Sequence, residues 1–135
     1  MSIDRFIKIQ ERDYNKAYEE ISAGYKKSHY MWYIFPQLAA LGSTSTSKYY
    51  GIKDLDEAKE YINNKYLRDN LINLCKVLLE LGTNNPKDIF GNIDSLKLRS
   101  SMTLFELVSD DEVFGLVLDK FYNGIRDELT LNLVK

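Results

Sequence analysis

The sequence predicts an all-α protein, and three observations carry this. Apolar residues recur at helical spacing along most of the chain. Asn, Asp and Ser residues suited to helix starts precede these runs. No Val-, Ile- or Thr-rich run with a hairpin turn interrupts them. The chain has 135 residues, two prolines, seven glycines and no Pro/Gly/Ser-rich linker, so residues 1–135 are expected to form a single compact helical domain with a substantial core.

The elements follow in order. Asp4 is placed to cap a first helix carrying Phe6, Ile7, Ile9 and Gln10. A second helical stretch carries Tyr14, Ala17, Tyr18 and Ile21, and Gly24 suits the C′ position beyond it. Residues 54–57 resemble a capping box with Asp54 in place of Ser or Thr; Leu55, Ala58, Tyr61 and Ile62 then form one apolar face. The clearest helix carries Leu67, Leu71, Leu74, Cys75, Leu78 and Leu81, with Gly82 ending it. On that face Cys75 reads as a small core hydrophobe rather than a reactive thiol. Asn85 as N-cap and Pro86 as first helical residue open a short helix that Gly91 stops. Asp94 is expected to cap the next helix, with Leu98, Met102, Phe105 and Val108 on its face. Ser109 and Glu112 read as a full capping box for a helix carrying Val113, Phe114, Val117, Leu118 and Phe121, closed by Gly124. Residues 127–134 alternate apolar and polar types and are ambiguous by period.

Two segments depart from this pattern. Residues 29–38 are apolar on every side, and Pro36 requires the backbone to leave the helical region near Phe35. Residues 42–47 are a Ser/Thr-rich loop whose hydroxyls favour turns.

Composition restricts the chemistry. One cysteine permits no intrachain disulfide, and with His29 as the sole histidine no Cys/His zinc site forms. The longest apolar run is far short of a membrane span, and the first residues lack the hydrophobic stretch of a signal peptide. The expectation is a cytoplasmic protein that does not enter membranes. No dinucleotide fingerprint, phosphate-binding loop or serine-hydrolase elbow is present, and neither cofactor nor metal is expected. A net charge of −2 argues against a nucleic-acid partner.

The charge distribution is informative. No Asp or Glu lies between Glu20 and Asp54, a window holding Lys26, Lys27, His29, Lys48 and Lys53. Within it Lys26, Ser28, His29, Trp32 and Gln37 interleave with aromatics, and Ser43 follows in the hydroxyl-rich loop. Apolar walls with a few directed polar groups suit a small-molecule site. Lysine pairs with phosphate or carboxylate, Trp32 stacks on a base or sugar, and His29 is the candidate catalytic group because imidazole exchanges protons near neutrality. For the aromatics themselves, filling the core is the favoured reading, while a structural and a functional role for His29 stand level. A second segment matches the first chemically: Lys97, Ser100 and Ser101 lie three to four apart on a helix, with no acid between residues 95 and 105. Small hydroxyls that allow close helix packing explain that segment equally well. A Ser–Lys nucleophile pair would need a strained turn and an oxyanion hole, neither of which the sequence signals.

Gly24, Lys26, Ser28, His29, Met31, Trp32, Ile34, Phe35, Pro36 and Gln37, at this spacing, resemble a signature of the bacterial domain-of-unknown-function family 1810. Its second signature is matched by Ile89, Phe90, Gly91, Asp94, Lys97, Leu98 and the run from Ser100 to Phe105. Tyr30 stands where the family usually has tryptophan, and Ile9 where alanine is usual. The resemblance spans nearly the whole chain. It implies a small, soluble, all-helical bacterial protein and no particular activity. Two functional expectations follow from the residues. The first is a pocket for a small anionic, nucleotide-like ligand, with catalysis left open. The second is a non-enzymatic protein-interaction module using residues 29–38.

Overall fold

In the computed structural model, residues 3–135 are described. Among them eight α-helices follow one another: α1 (Asp4–Ser22), α2 (Met31–Ile34), α3 (Ser45–Tyr49), α4 (Leu55–Asn63), α5 (Lys65–Glu80), α6 (Pro86–Val108), α7 (Val113–Tyr122) and α8 (Glu128–Leu133). A 3₁₀ turn, Ala39–Leu41, precedes α3, and an isolated parallel bridge joins Leu38 to Ile52. No helix among the described residues is long and apolar enough to cross a membrane.

The two stretches expected near the N-terminus are one continuous helix. Phe6, Gln10, Ala17 and Ile21 line its buried stripe. Asp4 lies in its first turn and makes no side-chain cap, since Ile3 holds the N-cap position. The other end is a Schellman motif: the Gly24 amide donates to Ile21 and the Tyr25 amide to Glu20. Asp54 does cap α4, accepting from the Glu57 amide. Glu57 does not return the bond to Asp54; it accepts from the Lys53 amide and from Arg5.

In α5 the apolar face from Leu67 to Leu78 is buried as its spacing requires. The helix stops at Glu80, and its last carbonyls are satisfied from outside: the Lys120 ammonium donates to Leu78, Leu79 and Leu81. Cys75 is fully buried with its thiol against the Met102 sulfur at 3.6 Å, and burial pushes its ionisation up. That environment is the inert one.

Asn85 and Pro86 open α6 as expected. Gly91 interrupts α6 with φ 77 and ψ −177, a region that only glycine occupies readily. Helical structure resumes directly after it, so Asp94 lies inside the helix and is not its cap. The capping box expected at Ser109 does not form. Ser109 follows the end of α6 and accepts from the Asp111 amide, Asp111 accepts from Val113, and α7 begins only there. The Ser/Thr-rich segment, expected as loop, contains a capping box: Thr44 and Ser47 exchange side-chain and backbone bonds and open α3. Residues 127–134 resolve as helix, with Asp127 capping α8.

One apolar cluster unites these elements. α6 packs on α7 and α4, and α5 packs on α1 and α7. Tyr30, Met31, Tyr33, Ile34, Phe35 and Leu38 all belong to it, so the aromatic segment is core. A buried polar knot anchors that segment. The Gln10 amide donates to the Tyr33 carbonyl and the Tyr61 hydroxyl, and it accepts from Asn70, joining α1, α2, α4 and α5.

Candidate functional site

A surface cleft of about 420 Å³ lies between the turn before α2 and the start of α6. Lys26, His29, Trp32, Phe90, Asp94 and Lys97 line it. The two candidate segments therefore meet, although Lys26 and Lys97 are far apart in sequence. The kink at Gly91 sets the course of α6 here, and α2 ends at Phe35 before Pro36, leaving Trp32 half-buried on the cleft wall.

The electrostatics differ from a simple lysine pair. Asp94, which the sequence suggests as a helix cap, sits between the lysines. Lys26 Nζ is 2.8 Å from one of its oxygens and Lys97 Nζ is 3.5 Å from the other. The Lys26 side chain is only 6% exposed and lies over the Tyr30 ring at 4.9 Å, so its charge is held by Asp94 and by aromatic packing. The Lys97 ammonium is more open and lies 5.3 Å from the centre of the Trp32 ring. Two ammoniums against one carboxylate leave the cleft with an excess positive charge, concentrated at Lys97. His29 is exposed at the edge.

The remaining candidates are placed elsewhere. Ser28 donates its hydroxyl to Glu20 at 2.6 Å and is absent from the cleft lining. Glu20 also accepts from the Lys27 and Ser28 amides and from the Tyr30 hydroxyl. Burial raises the ionisation of Glu20, but these hydrogen bonds, led by Ser28, outweigh it and hold the carboxyl at about 2. The same pairing adds to burial in pushing the Tyr30 phenol far up.

Ser101 is fully buried, with a hydroxyl that finds no partner. From Ser100 to Phe105 every residue of α6 is buried, so Ser101 lies where the helix runs through the core, one turn beyond the partly exposed Lys97. Ser100 is buried, bonding the Leu96 carbonyl and Asp127. It and Gln37 line a second groove of about 300 Å³. Ser43 is exposed on the approach to α3 and lines neither cleft. The lining residues that sequence reasoning missed are Met31, Phe90, Asn92, Ile93 and Asp94. The three-residue spacing of Asp94 and Lys97 is a visible helical ion-pair signal; the contact with Lys26 leaves no local trace.

Two other clefts carry less chemistry. One of about 320 Å³, beside Leu38 and the C-terminal residues, includes Asp54, already used as a cap. A wider one of about 560 Å³ between α1 and α5 offers Lys76, matched by Glu80. Among the described residues no three His, Cys, Asp or Glu side chains gather as a metal site would need.

An all-helical fold with this two-segment cleft defines the class, and comparison with known proteins gives the family. The family described as protein of unknown function (DUF1810) matches residues 1–134, and the chain belongs to it. A solved structure, that of the conserved hypothetical protein Rv1873 from Mycobacterium tuberculosis, superposes with a TM-score of 0.95 at 38% sequence identity, covering 98% of this chain and 95% of that one. No curated protein matches the chain significantly.

Proposed function

We propose that this protein binds a small anionic ligand with a flat ring, a nucleotide-like molecule, in the Lys26–Trp32–Lys97 cleft. The observation that carries the reading is Lys97: its ammonium stands 5.3 Å from the Trp32 ring centre and is held only loosely, at 3.5 Å, by Asp94. A ring stacked on Trp32 brings its anionic substituent to that ammonium, with His29 at the rim as a second donor and the one imidazole able to move a proton. Lys26 serves as a positioning residue that fixes Asp94. The related structure from a bacterium and the single cysteine support a bacterial, cytoplasmic setting. The rival reading, a protein-interaction module built on residues 29–38, draws on side chains that lie in the core.

Calorimetry and thermal shift with inorganic phosphate and adenosine 5′-monophosphate test the proposal. At about 100 times its Kd a ligand adds roughly 2.7 kcal/mol of stability. The monophosphate should bind tighter than phosphate. Trp32→Ala should remove that advantage, and Lys97→Ala should weaken both at least about tenfold, or about 1.4 kcal/mol. His29→Ala should weaken binding and change stability by no more than about 0.5 kcal/mol, because the side chain is exposed. No response to either compound, or unchanged binding in Lys97→Ala, would refute the reading.

A further inference from the structure

Lys97 and Ile93 line both the Trp32 cleft and the second groove, so the two depressions meet at a shared wall. The second groove has apolar sides from Leu41, Leu96 and Leu129, and Arg99 stands with Lys97 at its edge. Leu96 and Leu129 are 57% and 64% exposed, a degree of solvation unfavourable for leucines gathered around one groove. Arg99 has unused capacity. Its buried Nε has no hydrogen-bond partner, and its terminal nitrogen is 3.8 Å from Asp127. Asp127 takes its hydrogen bonds from Ser100, the Thr130 amide and the Thr130 hydroxyl on Oδ2, and only Oδ1 faces Arg99, at that long distance. Each depression alone, at about 420 and 300 Å³, falls in the lower part of the range of roughly 300–1,000 Å³ used by small-molecule sites.

We propose that the two depressions form one trough whose ligand is a diester of diphosphoric acid. A flat ring occupies the Trp32 lobe, the diphosphate runs from Lys97 at the shared wall to Arg99 in the second groove, and a second organic group covers Leu41, Leu96 and Leu129. The inference rests on the ligand reading above and specifies it. Two cations lining one groove suit two linked phosphates. Apolar surface on both sides of them suits an anion substituted at both ends, where a terminal phosphate would leave the Leu96–Leu129 lobe empty.

Titration calorimetry with adenosine 5′-monophosphate, adenosine 5′-diphosphate and P1,P2-di(adenosine-5′) diphosphate tests this. The diester should bind at least tenfold tighter than the diphosphate monoester, which lacks a second organic group. Leu129→Asp, at an exposed position, should reduce the diester to the level of the monoester while leaving monophosphate affinity unchanged. Leu96→Asp, on a different helix, serves the same purpose if the first variant does not fold. Equal affinities of diester and diphosphate in the wild-type protein, with the monophosphate still binding, would overturn the diester inference alone. An undiminished diester preference in the Asp variants would do the same. Absence of binding by all three compounds would overturn both this inference and the reading on which it rests.

Discussion

Glu20 illustrates how much one side chain arranges. Four donors converge on its carboxylate from Lys27, Ser28 and Tyr30, and they fix the turn that delivers Lys26 to Asp94. Its carboxyl is held at about 2 against an ordinary 4.5, so the folded state prefers the charged form. The sign follows from linkage: a depressed carboxyl stabilises the fold fully above its unfolded value and loses that contribution as pH falls towards its folded value. Stability should decline between about pH 4.5 and pH 2 more steeply in the wild type than in Glu20→Gln. At neutral pH the variant should be about 1–2 kcal/mol less stable, the full shift being reduced by solvent around a partly exposed group. Urea unfolding across that pH range checks both; parallel curves for the two proteins would refute the assignment. At this scale the sequence was informative about types and poor about partners. Lys26, His29, Trp32 and Lys97 do share a cleft, because interleaved aromatics and cations mark residues that need both core and solvent. Ser28, Ser100 and Ser101 were equally plausible donors on paper, and each faces inward to a carboxylate, a carbonyl or the core. The pairing of Lys26 with Asp94 was hidden for the same reason: an ion pair made by tertiary packing has no sequence spacing.

Helices were legible where apolar residues repeat at helical spacing, and obscure where only capping chemistry marks a boundary. The face of α5 is the clear success: Leu67, Leu71, Leu74, Cys75 and Leu78 are all buried. Leu71 is 1% exposed and Phe121, on the packed face of α7, is 6% exposed. Truncating each to alanine should cost about 2–5 kcal/mol through lost burial and the cavity left behind. Unchanged urea midpoints in both variants would contradict this packing. Caps were less reliable because the same residue types also close turns. Ser109 and Asp111 each satisfy an amide within two residues, which delays α7 until Val113. Thr44 and Ser47 did the opposite, forming a box within a run that composition alone assigns to loop. The end of α5 shows a third case: its carbonyls are answered by Lys120, 39 residues beyond Leu81, which no local pattern announces.

Across the whole molecule, one ion pair ties together segments that are distant in sequence. Arg5 reaches from α1 to the Tyr49 carbonyl at 2.6 Å, the Gly51 carbonyl at 2.7 Å and the Glu57 carboxylate at 3.0 Å. Glu57 in turn holds the Lys53 amide, so the two charges tie α1, the chain between α3 and α4, and α4 together. The chain has little freedom here: a Cβ on Gly51 would lie 2.3 Å from the Ala39 Cα, so this segment is pressed against the 3₁₀ turn that follows Leu38. Both partners are largely buried, with side chains 14% and 5% exposed. Removing one member of such a largely buried pair costs about 3–5 kcal/mol. Arg5→Met and Glu57→Gln should each destabilise by that order. The double variant should be less damaging than the sum, because the two side chains bond each other directly. A double-mutant cycle in urea measures the coupling. Strict additivity would show that Arg5 and Glu57 act independently, and would assign the placement of residues 49–53 to the tight Gly51–Ala39 contact alone.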